Sequence, residues 1–94
     1  MLSQIPIDFN KVKKEDIDKE ILRVGIIAEL DAINLYEQMA AITENETIRR
    51  TLLDIAKEEK THVGEFQALL LREDEEQERE LEKGKKEIDE LTSK

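Results

Sequence analysis

The chain has 94 residues, 41% charged and 38% hydrophobic, with three glycines, one proline, no cysteine and a formal net charge of −9. The missing cysteines exclude disulfides, thiolate zinc sites and iron–sulfur clusters, and the acidic balance argues against non-specific nucleic-acid binding. No apolar run approaches the roughly 18–20 residues of a transmembrane helix and no signal-peptide pattern is present, so a soluble cytoplasmic protein with neither membrane nor nucleic-acid partner is expected.

Scarce glycine and proline with abundant charge predict an all-α chain of long helices. Met1 to about Lys13 reads as a leader around Pro6, extended at first. A first helix is predicted from about Lys14 to Ile42, with Gly25 its one weak interior residue. Thr43-Glu44-Asn45-Glu46 is a short polar break that also reads as a capping box, Thr43 as N-cap and Glu46 three residues on. A second helix starts near Asn45 and stays strongly patterned to Leu71. From Arg72 onward there are ten acids and six bases, with Leu81, Ile88 and Leu91 as the apolar residues. That segment fits a short third helix, interrupted near Gly84, or a charged linker. The expected division is therefore a helical hairpin over 1–71 and a charged helix or linker over 72–94.

Two stripes carry polar residues where the helical period calls for apolar ones. Leu22, Ile26, Glu29, Ile33, Tyr36 and Ala40 form one helix face; Ile48, Leu52, Ile55, Glu59, His62, Phe66 and Leu69 form another. An ionised carboxylate in an apolar face costs several kcal/mol, roughly, unless it is paired. A metal ion supplies such a partner.

Chain reversal supports convergence. Glu29 and Glu59 lie fifteen residues on either side of a turn centred at Glu44. At about 1.5 Å per residue both are roughly 22 Å from the turn, so an antiparallel hairpin brings them to one level. His62 is one turn beyond Glu59 on the same face. Glu58 falls off the stripe. A second seam on the first helix, through Ile17, Ile21, Val24, Ala28, Ala32, Leu35, Met39 and Ile42, requires a further helical neighbour, and a homo-oligomer is the expected source.

Glu-x-x-His places a carboxylate and an imidazole on one ion from one helix, and one chain offers two oxygen donors and one nitrogen. Ferritin-like di-iron bundles use a Glu from each of two helices and Glu-x-x-His from each of the other two. This chain holds half of that set, and a homodimer with two-fold symmetry would complete a four-helix bundle.

Glu29 followed by Tyr36, with Glu59-Lys60-Thr61-His62 downstream, resembles the ferritin-like superfamily over roughly Ile21 to Leu71. The two-helix form with a charged third segment is similar to the encapsulated ferritins. The resemblance implies that Glu29, Glu59 and His62 bind iron at a dimer interface, with Glu59 bridging two ions and Tyr36 beside the site. It implies a ring of dimers, a decamer in this family, that oxidises Fe(II) with dioxygen inside an encapsulin nanocompartment. On that basis Glu29 and His62 are expected as terminal ligands, with Tyr36 orienting Glu29 through its hydroxyl.

Some family members carry entry acids around the first Glu. Here the flanking residues are Ala28 and Asp31, leaving Asp31 as the candidate metal-entry residue. Glu90-Leu91-Thr92-Ser93-Lys94 does not resemble a docking peptide; either such a signal is left out or the domain is fused to the encapsulin shell protein on the C-terminal side, and the second is expected. Manganese suits the same donors. The competing functions are a rubrerythrin-like di-iron peroxidase and a non-catalytic helical assembly module. Glu37, Glu65 and the run Glu73 to Glu76 read as solvated faces.

Overall fold

The computed structural model describes Gln4 and residues 8–93; the extended leader expected around Pro6 lies outside the described residues. Two single 3-10 turns, Phe9–Lys11 and Lys14–Asp16, lead into three helices: α1 (Ile17–Ile42), α2 (Glu46–Glu73) and α3 (Glu75–Thr92). Among the described residues there is no strand, and the all-helical expectation holds. The first helix begins three residues later than its periodicity suggests, because Lys14–Asp16 winds as a 3-10 turn before the α-helix is established.

The turn between α1 and α2 departs from the predicted capping box. Asn45, not Thr43, is the N-cap of α2, and its side-chain oxygen accepts from the backbone N–H of Ile48 at 3.0 Å. Thr43 instead closes α1: its N–H donates to the carbonyl of Met39 at 3.1 Å, and its Oγ1 accepts from the N–H of Asn45 at 3.1 Å. The three residues of the break must finish one helix before starting the next, and the cap falls to the last of them. Glu46, freed from the box, pairs with Arg49 at 2.7 Å. The Arg49 guanidinium also donates to the carbonyls of Ala40 at 3.2 Å and Thr43 at 2.6 Å, satisfying the C-terminal acceptors of α1 that the helix leaves open.

α1 and α2 pack antiparallel, with Lys60 tied to Glu37 across the seam at 3.1 Å. Four apolar side chains are buried among the described residues, Ile33, Ala40, Ala56 and Leu70. Ile33 and Ala40 lie on the predicted stripe of α1. On α2 burial follows Leu52, Ile55, Ala56, Glu59, Val63, Phe66 and Leu70, a seam that shares Leu52, Ile55, Glu59 and Phe66 with the predicted stripe. Ile48, His62 and Leu69, on the other edge of the stripe, stay exposed. The apolar band of α2 is thus wider than one neighbour covers, and α1 takes one edge of it.

α3 leaves α2 through the single residue Asp74 and runs unbroken through Gly84. Asp74 is the N-cap, accepting from Gln77 N–H at 3.0 Å, and Glu75, Glu76 and Glu78 favour the positive helix start. Arg23 of α1 reaches the other Asp74 oxygen at 2.8 Å, which anchors the start of α3 to the hairpin. The extents are 46 × 46 × 19 Å, so α3 projects across the long hairpin and the chain is thin in its third dimension. No described helix is long and apolar enough to cross a membrane.

Candidate metal centre

Glu29 on α1 and Glu59 and His62 on α2 converge, with one ligand atom from each lying within 4.8 Å of the others. His62 Nδ1 is 3.3 Å from Oε2 of Glu59 and 3.5 Å from Oε2 of Glu29. The two carboxylate side chains are 18% and 19% exposed, whereas His62 is 46% exposed. The hairpin therefore gives the site a covered floor of two acids and an open imidazole side.

The hydrogen-bond inventory does not close. Ionised carboxylates only accept, so the contact at 3.3 Å needs the proton on Nδ1, donated to Glu59. One N–H cannot serve both acids in good geometry. Oε2 of Glu29 is left buried with no hydrogen-bond partner among the described residues. Leaving a buried acceptor unsatisfied costs about 1–3 kcal/mol, more for a charged group. A divalent cation would answer that oxygen and neutralise two converging carboxylates at once. Bonds of about 2.1 Å put neighbouring ligands about 3.0–3.4 Å apart around one ion, near the separations found here. Two oxygens and one nitrogen suit iron or manganese.

Gly25 shapes the wall of the site. A methyl group there would stand 3.1–3.2 Å from the ring of Phe66, so the glycine makes room for that ring against α1. Phe66 lines a cavity of about 220 Å³ together with Glu29, His62, Glu65 and Leu69. Glu65 is exposed there, in keeping with the solvated face that the sequence suggests. Its three-residue spacing from His62 was the available signal that it shares the site's side of α2.

The remaining candidates lie elsewhere. Tyr36 is half-buried two turns along α1, roughly 10 Å of helix rise from Glu29, and its hydroxyl does not reach Oε2 of Glu29. Asp31 is half-buried and already engaged, about 200° around α1 from Glu29, and is not among the residues lining the cavity.

A helical hairpin presenting Glu opposite Glu-x-x-His defines a ferritin-like protein. The chain belongs to the rubrerythrin family, whose profile matches residues 20–93. More particularly, it is 59% identical over 95 residues to a ferritin-like-encapsulin shell fusion protein of Pyrococcus furiosus. The match takes in 98% of this chain and 27% of that protein, so the chain spans about a quarter of the relative's length. An encapsulin nanocompartment cargo protein of Myxococcus xanthus is 43% identical over 56 residues, 60% of this chain and 43% of that one. Among solved structures, the encapsulated ferritin domain from Pyrococcus furiosus superposes with a TM-score of 0.84 at 55% identity, covering 100% of this chain and 98% of that domain.

Proposed function

We propose that this chain is a ferroxidase domain that oxidises Fe(II) as cargo of an encapsulin compartment. The observation that carries the reading is the buried, unpartnered Oε2 of Glu29 beside Glu59 and His62. The printed names of the relatives, one fused to an encapsulin shell and one an encapsulin cargo, support the compartment.

Fe(II) is the substrate. Glu29, Glu59 and His62 would hold it, and a second copy of the chain would bring the same three donors across a two-fold axis, with Glu59 placed to bridge two ions. The exposed apolar edge carrying Ile48, His62 and Leu69 is the surface on which that copy is proposed to sit. Each of two ions loses one electron, and dioxygen takes the pair with two protons to leave as hydrogen peroxide. The carboxylates favour the ferric product because hard oxygen donors suit the higher charge. Tyr36 is proposed to stand beside the site and to act on a group other than Oε2 of Glu29. A ring of such dimers, a decamer by family likeness, would be the working assembly.

An anaerobic Fe(II) titration followed by air tests this. Saturation near about one iron per chain, then rapid growth of ferric absorbance, is expected. Glu29→Ala and His62→Ala should each abolish the rapid phase, and full activity in both would sink the assignment. Membership of the rubrerythrin family keeps peroxide as a second oxidant; faster oxidation by peroxide than by dioxygen would favour that reading. Assembly unchanged by metal together with no saturable binding would leave a helical assembly module.

A further inference from the structure

The three converging ligands lie between two apolar levels of the hairpin. On the side of the turn, Ile33 is one turn from Glu29 and Ala56 one turn from Glu59, and both are buried. On the far side, Gly25 is one turn from Glu29 and Phe66 one turn from His62. One edge of the Phe66 ring, Cδ1, Cε1 and Cζ, lies over the bare Cα of Gly25, 3.1–3.2 Å from where a β-carbon would stand. The ring therefore joins α2 to the backbone of α1 just beyond the ligands. This contact is made within one chain, on the seam that faces α1, so a second copy on the exposed edge of α2 does not compete for it.

Helix direction turns the ring toward the acid. Long side chains lean toward the N-terminus of their own helix. In an antiparallel hairpin that sends Glu29 away from the turn and Phe66 back toward it, and the two line one hollow. Oε2 of Glu29 has less than 1 Å² of exposed surface in a single chain and no hydrogen-bond partner. Neither bulk water nor the protein answers its charge. An apolar wall beside such a charge raises the energy of the empty site and strengthens the attraction for an entering cation.

We infer that Phe66, seated on Gly25, is a positioning residue of the metal centre: its ring keeps water from Oε2 of Glu29, and the divalent cation is bound more tightly because the empty site is left unsolvated. This rests on the proposed metal centre. Gly25 serves the same end, since a β-carbon there would crowd the ring.

The test is a double-mutant cycle on the full chain in chelator, which separates coupling from packing. Urea midpoints are compared at one chain concentration. Glu29→Gln should raise the midpoint of the unaltered chain and leave that of Phe66→Ala where it stood, because without the ring water reaches Glu29. A ring that only packs would give the same rise in both backgrounds. Equal rises, or none in either, overturn the inference. Phe66→Leu keeps an apolar side chain on Gly25 and should show a smaller rise than the unaltered chain. Should Phe66→Ala fail to fold, an undiminished rise in Phe66→Leu overturns the inference in its place. Mn(II) binding, read from the electron paramagnetic resonance of the free ion, should weaken about tenfold in Phe66→Ala, a change of about 1.4 kcal/mol. An unchanged affinity there also overturns it. If Glu29→Gln binds Mn(II) as tightly as the unaltered chain, the metal centre fails and the inference with it, whereas equal rises in chelator remove only the role of the ring.

Discussion

Nδ1 of His62 on α2 stands 3.5 Å from Oε2 of Glu29 on α1, and no hydrogen bond closes that gap. With its proton on Nδ1, the imidazole donates to Glu59 instead. The metal-free hairpin consequently carries one acid whose charge is desolvated and unanswered.

Removing that charge should stabilise the metal-free chain. Glu29→Gln is expected to raise the urea unfolding free energy of chelator-treated protein by about 1–2 kcal/mol, since a buried, unmatched carboxylate is more costly than a neutral amide. Mn(II) should raise the stability of the unaltered chain and leave Glu29→Gln where it was, because ligand binding to the native state stabilises by mass action. A less stable metal-free Glu29→Gln would mean that Glu29 has a structural partner.

Acid should loosen the α2–α3 joint. The backbone N–H of Gln77 lowers the pKa of Asp74; burial opposes this, and the Arg23 guanidinium adds to the lowering. A carboxylate titrating lower when folded than when unfolded contributes stability that is complete above its ordinary value near 4 and is lost as pH falls through the depressed one. Hydrogen exchange in the first turn of α3 should therefore accelerate below about pH 4 in the unaltered chain. Asp74→Ala should show fast exchange there at neutral pH as well, with metal uptake unchanged.

Arg49→Ala should destabilise the hairpin by about 1–3 kcal/mol, since the guanidinium gives charge-assisted bonds to two carbonyls at the end of α1. The loss should appear in the urea midpoint and as faster exchange at residues 40–48. Co(II) stoichiometry should persist, because the centre lies roughly 22 Å up the hairpin.

At Gly25 two effects compete. An added methyl improves helix propensity by about 1 kcal/mol but crowds the Phe66 ring at 3.1 Å. Phe66 borders a cavity, so its ring can yield by a few tenths of an ångström. Gly25→Ala is expected to change thermal stability by less than about 0.5 kcal/mol, and Gly25→Leu to lower it by about 1–3 kcal/mol through overpacking. A large loss in Gly25→Ala would show the ring to be immovable.

The helices were legible because four-three spacing survives in both long segments, and the short break could only be a reversal. Level matching of Glu29 and Glu59 followed from rise per residue alone. The capping assignment at Thr43 was not legible: Thr43 and Asn45 both satisfy cap chemistry, and the choice depends on where α1 runs out of N–H donors. Nor was the edge of the α2 band that meets α1, since Ala56 and Leu70 on one side rival Ile48 and Leu69 on the other in apolar character. The hollow beside Glu65 was hidden for a related reason. Whether an acid flanking a stripe faces water or a hollow depends on the neighbouring helix, which the period of one helix does not report.

The 19 Å thickness bears on what happens after oxidation. Two helices lying side by side enclose no chamber, and the hollow beside the centre, about 220 Å³, has room for only about seven water molecules. Under the proposed function, ferric ions have nowhere within the subunit to accumulate as mineral. Each pair must be discharged from the surface before the next can settle, so with excess Fe(II) the pace of the domain is set by clearance of product and by whatever container receives it.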